Sequence, residues 1–433
     1  MADVNVINQI EKIENTVISG LKDFQKATVT RIDQLYRAGQ MRVLVSDEVG
    51  LGKTLIARGT IAKLAKLQKE VGDNLVKVVY ICSNASIAEQ NLNKLRITSE
   101  LRTERTGSSR LSMQHLNIFK QENDADLLSR YIQLIPLTPD TSFRMTNGAG
   151  TYPERALMFA ILKRLPELSQ YTKALEFAMK DGASSGWDGW AKNWYETEVL
   201  ECDKLSGGKY LSYMLDKLSE ELKEPAEENV TYLDLVVGMC KTIEKYGYKK
   251  QNNNYVIGKL RVLFAKISLD KLEPDLVIMD EFQRFKYLIN SDPESETGML
   301  ANKFFNSDKV RMLLLSATPY KMYSTLEEID ETQVDEHYSE FFDVMNFLNI
   351  TEKEKNEFKS VWSNYSVRLK ELTDGDTTIL SAKKAAEDAM YQHICRTERV
   401  SATENADIID DKDVSVPISV MEQDIKSYLQ AQK

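Results

Sequence analysis

SDEVGLGKT, residues 46–54, decides how this chain is read. Gly50 and Gly52 stand where a side chain would stop the backbone curling its N–H groups round an anionic oxygen, and Leu51 between them adds a further N–H. Lys53 brings a point charge, and Thr54 a hydroxyl suited to a magnesium ion. MRVLV at 41–45 is a β-rich run entering the loop, and LIARGTIAKLAKL leaves it with Leu55, Ile61 and Leu64 at helical spacing. Strand, loop and helix in that order predict a phosphate cradle. The helix, from about Thr54 to Lys66, would direct its positive end at the phosphates. The strict pattern GxxxxGKT wants glycine where this chain has Asp47.

Far downstream, PDLVIMDEFQRF at 274–285 supplies what such a cradle needs opposite it. Leu276 to Met279 is a continuous apolar run, expected of a strand buried on both faces of a parallel sheet. Ligands of such sheets gather at the carboxyl ends of the strands, where Asp280 and Glu281 fall. Asp280 suits a magnesium water shell, and Glu281 suits orienting or deprotonating an attacking water. A third apolar run, LLLSATPY at 313–320, ends in Ser316, Ala317 and Thr318, whose hydroxyls can exchange partners with the end of the preceding strand. That end carries Gln283, a carboxamide that can hold a coupling bond without titrating.

DEVGLGKT, DEFQ and LLLSATPY together resemble the ATPase motor of superfamily 2 helicases and translocases, nearest the Swi/Snf-like branch, whose first motif is commonly DExGLGKT. The stretch 274–289 with 313–328 resembles large bacterial helicase-type ATPases, some of which serve defence against phage. The resemblance implies an α/β fold: a RecA-like lobe with a parallel sheet, ATP and Mg²⁺ as cofactors, and DNA in preference to RNA as the strand. LKDFQ at 21–25 is similar to the family's adenine-reading segment, which implies that Gln25 bonds the adenine edge. The roles carried over are Lys53, Asp280, Glu281 and Gln283 for catalysis, and Ser316, Ala317 and Thr318 for relaying nucleotide state. KVVYICS at 77–83 occupies the place of a motif that touches the nucleic-acid backbone, which marks Asn84 and Gln90, with Lys94 and Arg96 nearby. Thr141 and Ser142, after a strand-like run within 131–144, would either meet phosphate or cap a turn.

Segments 1–100 and 256–325 are therefore expected to be two parts of one lobe, parted by a mainly helical insertion at 101–255. Thr151 with Glu154 and Pro153 predicts a helix start there. Trp187, Trp190 and Trp194, spaced by three and four, should share a helical face, either as a stacking platform for bases or in the insertion's own core. Residues 326–433 read as a helical extension, with Thr351 and Glu354 capping one helix. There, 394–400 resembles the family's Arg/Lys-rich segment leading to a second lobe. The glutamine-glycine-arginine signature of the family's sixth motif does not occur, so the chain is expected to be an N-terminal motor lobe that binds ATP, turns it over slowly alone, and meets a second RecA-like lobe in cis or in trans.

A formal charge of −10 excludes a protein coated in positive potential, so any grip on a strand is local and salt-sensitive. The four cysteines are scattered without zinc spacing, and no run is long and apolar enough to span a bilayer, which predicts reduced thiols and a cytoplasmic protein. Two other functions fit parts of the pattern: a nucleotide-gated signalling switch and a scaffold with a decayed site. Gln25 with Ser316–Thr318 weighs against the first, and intact Lys53, Thr54, Asp280 and Glu281 against the second.

Overall fold

Five strands with apolar residues on both faces and one short edge strand line up in parallel. They are β1 (Arg42–Val45), β2 (Val76–Ile81), β3 (Ile132–Leu137), β6 (Leu276–Asp280), β7 (Arg311–Leu315) and β8 (Ile394–Cys395), in the order β3-β2-β6-β7-β1-β8. This is the RecA-like α/β lobe with its helical additions. The computed structural model describes residues 2–48, 50–72, 75–83, 85–98, 110–123, 131–138, 148–181, 183–246, 250–285, 298, 301, 305, 310–317, 336–370 and 377–397. The chain divides into Met1–Thr397 and Glu398–Lys433, and the described residues all lie in the first.

Alternation along each strand splits the core in two. Val43 and Val45, Val78 and Tyr80, Leu276 and Ile278, and Leu313 and Leu315 pack with α1 (Ala2–Ser19), α2 (Asp23–Arg37), α3 (Lys53–Glu70) and α4 (Ala85–Leu95). Leu44, Val79, Ile81, Val277, Met279, Met312 and Leu314 face the other way. On that side lie the end of α11 (Lys250–Leu272) and α12 (Glu336–Leu348). Arg42 on β1 fastens α12, donating to the carbonyl of Phe347 at 2.5 Å and stacking its guanidinium over that ring at 4.5 Å. Of the three residues read at helical spacing on α3, Ile61 and Leu64 are buried and Leu55 is 39% exposed.

A third core belongs to the helices between β2 and β6: α5 (Gln114–Glu122), α6 (Tyr152–Leu162), α7 (Thr172–Lys180), α8 (Lys192–Leu205), α9 (Lys209–Glu221) and α10 (Tyr232–Tyr246). Here α11 is the spine. Ile257, Leu260, Phe264 and Ile267 face this helical core, while Val262, Ala265, Leu269 and Leu272 face the sheet. Between α9 and α10 the chain forms a small, largely exposed hairpin of β4 (Pro225–Glu227) and β5 (Val230–Thr231).

The tryptophans correct an expectation. Residues Trp187–Ala191 form a π turn, which widens the spacing, so the three rings do not share a face. Trp187 is fully buried, whereas Trp190 and Trp194 are 44% and 56% exposed. The extension continues with α13 (Glu352–Lys370), started by a reciprocal cap in which Thr351 N–H donates to Glu354 and Glu354 N–H to the Thr351 hydroxyl, and with α14 (Thr378–Tyr391). Ile394 and Cys395, expected in a segment leading away from the lobe, complete the sheet beside β1. Their short strand takes up the edge of β1 that β7 does not pair. Among the described residues no helix is long and apolar enough to cross a membrane.

Glu14 on α1 joins the N-terminal helix to α3 through ion pairs with Lys63 and Lys66 at 2.7 and 3.1 Å. Burial pushes its carboxyl up, but the two ammonium groups outweigh burial and hold it below its ordinary value of 4.5. A depressed folded-state pKa stabilises the fold above the unfolded value, and that contribution fades as pH falls through the folded value. Glu14→Gln should therefore be less stable than wild type by about 2 kcal/mol at pH 7. The difference should narrow as pH is lowered below 4.5 and through the folded-state value, as read by urea denaturation across that range.

Candidate nucleotide site

Strand register builds the site. Val45 pairs with Leu315, and Leu315 with Asp280, so one row across three strands ends at the start of the loop, at Ser316 and at Glu281. The ends of β1, β7 and β6 thus meet at the carboxyl edge of the sheet. Gly50 and Gly52 have φ of +85° and +80°, values that side chains disfavour. Gly52 has a second constraint, since a Cβ there would lie 2.6 Å from Gln25 Nε2. α3 begins at Lys53 rather than Thr54, and Thr54 lies in its first turn.

Lys53 Nζ donates to the carbonyls of Asp47 and Glu48 at 2.9 and 3.2 Å. Burial pulls its pKa down, while the carboxylates of Asp47, Asp280 and Glu281 push it back up. All four groups therefore share one local field. Asp280 accepts hydrogen bonds on Oδ2 from Tyr80 at 2.6 Å and from Asn91 at 3.4 Å. Glu281 has φ of +55° and pairs with Arg284 at 2.7 Å, both side chains being about half exposed. Ser316 Oγ donates to Gln283 Oε1 at 2.8 Å.

The donor set fits a magnesium-bound triphosphate. A lysine that lies among three carboxylates and rests on its own loop carbonyls has an ammonium to offer to phosphate. A single strand-end carboxylate and a helix-start hydroxyl are the hard oxygen donors that a phosphate-bound Mg²⁺ uses. Gln25 is 4% exposed, and both ends of its carboxamide are engaged: Nε2 donates to the Leu51 carbonyl at 2.9 Å, and Oε1 accepts the Lys22 N–H at 3.0 Å. Reading an adenine edge would require it to change partners.

Asp47, the departure from the strict loop pattern, is fully buried, and Oδ1 accepts the Thr397 N–H at 2.6 Å. The Thr397 hydroxyl in turn lies 3.0 Å from that of Thr28, one turn along α2 from Gln25. The carboxylate thus ties the loop to the chain just after β8. Of the candidates for nucleic-acid contact, Gln90 is exposed on α4, and Lys94 is also exposed. Asn84, Thr141, Ser142 and Thr318 lie outside the described residues, while Ala317 follows Ser316 at the β7 end.

Tyr80, Asn91, Thr28 and Thr397 were not singled out from sequence. Tyr80 reads as one more core residue of an apolar strand. Asn91 sits beside the exposed Gln90, and only the helix phase separates the two. Nothing in the local sequence marks Thr397 as a partner of Asp47.

Residues 18–135 match the family model described as Type III restriction enzyme, res subunit. The match runs from the end of α1 through the loop, α3, β2 and α4 into β3, and supports an N-terminal lobe of the superfamily 2 helicase kind. Asp280, Glu281, Gln283 and Ser316 lie beyond it and are joined to it by the sheet. No curated protein and no solved structure matches the chain.

Burial raises the pKa of Asp47, and the Thr397 amide and hydroxyl, Lys53 and Arg396 only partly counter it. A raised folded-state pKa means that stability is lost as pH rises through that value, so the ionised form is a burden at pH 7. Asp47→Asn keeps an acceptor for Thr397 and removes the buried charge; it should melt at or above the wild-type temperature at pH 7. Asp47→Ala leaves the amide without its partner and should be less stable by about 2 kcal/mol. Thermal melts of the two variants check the tie: equal loss in both would show that the hydrogen bond is not what Asp47 contributes.

Proposed function

We propose that this chain is the ATP-binding lobe of a nucleic-acid-dependent ATPase of the helicase or translocase type. The observation that carries the proposal is the single row at the sheet's carboxyl edge, joining the loop of Lys53 to Asp280, Glu281 and the Gln283–Ser316 bond. In this reading the N–H groups of Gly50, Leu51 and Gly52 cradle phosphate, and Lys53 leaves the Asp47 and Glu48 carbonyls for the β- and γ-oxygens. Thr54 and Asp280 would hold magnesium, which would supply neutralising charge to the phosphates. Glu281 orients or deprotonates the attacking water once it releases Arg284, and Gln25 trades its Leu51 bond for the adenine edge.

Gln283 and Ser316 give the lobe a way to report nucleotide state. A hydroxyl bonded to a carboxamide on the neighbouring strand can exchange that partner when the strand end moves, and Ala317 and Thr318 continue from it. The strand would pass over the carboxyl edge, near α4 with Gln90 and the segments holding Asn84, Thr141 and Ser142. The description of the matched family, a restriction enzyme subunit, favours DNA over RNA and a role in cytoplasmic defence against invading DNA, with partners in such a system. A second RecA-like lobe would bring the arginine that completes the charge clamp, a group worth roughly 10³ to 10⁵ in rate in phosphoryl transfer.

The purified chain should bind Mg²⁺-ATP, and Lys53→Ala should weaken binding by roughly 30-fold or more. Hydrolysis should be slow and should rise on adding single- or double-stranded DNA at low salt. DNA-blind turnover would mark a nucleotide-gated switch, and absence of nucleotide binding would mark a scaffold; either result defeats the proposal.

A further inference from the structure

Tyr80 is a phenol in a place where phenylalanine would fill the same space. It is 1% exposed on β2, opposite Ile278 of β6, and packs on the α4 side of the sheet. Asp280 lies two residues beyond Ile278 and so belongs to the same face. The Tyr80 hydroxyl therefore reaches along the sheet to the strand end, where it donates to Asp280 Oδ2 at 2.6 Å. Asn91 closes the group from α4: its Nδ2 donates to the Tyr80 hydroxyl at 2.8 Å and lies 3.4 Å from the same carboxylate oxygen.

Two features make this more than a satisfied core hydroxyl. Both donors converge on Oδ2 and leave Oδ1 with no hydrogen bond among the described residues. Both are also neutral. An ammonium or guanidinium at this place would cancel the charge that a cation needs, as Arg284 does for Glu281. A phenol and a carboxamide fix the plane of a carboxylate while leaving its charge intact, as outer hydrogen-bond partners do at metal sites generally.

We propose that Tyr80 and Asn91 are positioning residues that hold Asp280 with one oxygen presented to magnesium, and that through Asn91 the metal site is fastened to α4. The inference rests on the reading of Asp280 as the magnesium-holding carboxylate. It adds a link on the β2 side of the site, opposite the Gln283–Ser316 bond on the β7 side.

The test titrates Mg²⁺ against the full chain in the presence of a fluorescent, non-hydrolysable ATP analogue, comparing wild type, Tyr80→Phe, Asn91→Ala and Asp280→Asn. The half-saturating Mg²⁺ concentration should rise about tenfold in Tyr80→Phe and about threefold in Asn91→Ala. Analogue binding without metal should stay at the wild-type level in both, an outcome that a merely structural role would not give. Magnesium dependence lost in Asp280→Asn but intact in both other variants overturns the proposal alone. Wild-type binding that does not depend on magnesium, or dependence that survives in Asp280→Asn, overturns the underlying reading and the proposal with it.

Discussion

The row Val45, Leu315 and Asp280 is the constraint on which the rest depends. Because side chains alternate along a strand, shifting β6 by one residue against β7 would send every buried side chain of β6 to the opposite core. Leu276 and Ile278 are wholly buried on one face, and Val277 and Met279 on the other. The register is therefore enforced twice, once by each core. What those cores fix incidentally is the level at which β6 stops, and so the height of Asp280 beside the loop of Lys53. The site's geometry is inherited from apolar packing that touches no ligand.

Around the loop, three polar groups hold the turn by contacts of different kinds. Lys53 and Gln25 rest on loop carbonyls, partners that a phosphate or an adenine could replace at little cost. Asp47 is different, because it is wholly buried and its acceptor oxygen is engaged by the Thr397 amide. It is thus a fixed post, while the other two are movable. This gives the carboxylate a physical reason to stand where the strict phosphate-loop pattern has glycine: it seats β8 against β1 and pins the loop's entry at Ser46, whose N–H donates to the Cys395 carbonyl at 2.8 Å. The bonds made by Lys53 and Gln25 end on carbonyls of the loop itself, whereas that of Asp47 ends on the chain after β8.

Much of this was legible because local signals agreed with one another. The strand-like runs at 41–45, 77–83, within 131–144, at 276–279 and from 313 onward overlap the observed β1, β2, β3, β6 and β7, and the glycines at 50 and 52 marked the turn between β1 and α3. Three things were not legible, for different reasons. The π turn at Trp187–Ala191, with Gly186 before it and Gly189 inside it, breaks the helical period, and spacing by three and four assumes that period, so the tryptophan stripe was misphased. β8 is two residues long, below the length at which alternation carries information. The Asp47–Thr397 bond joins positions 350 residues apart, and only the closing of the sheet brings them together.

The end of β6 shows how the apolar and chemical layers meet. Glu281 adopts a left-handed backbone, which costs a non-glycine residue about 1–3 kcal/mol. That reversal lets the chain drop Phe282 and Phe285 into the core on the face opposite Asp280, where they are 1% and 2% exposed. Burying each ring is worth about 1.5–3 kcal/mol, enough to offset the strain. The turn leaves Asp280 bonded to Tyr80 on one face, Glu281 half exposed beside it, and Gln283 one short helical step away against Ser316. Had the strand run straight on, Glu281 would have followed Met279 into the apolar core and Gln283 would have lain beyond reach of β7. The strained residue is therefore the place where the burial of two phenylalanines is converted into the spacing of the polar groups that the site uses.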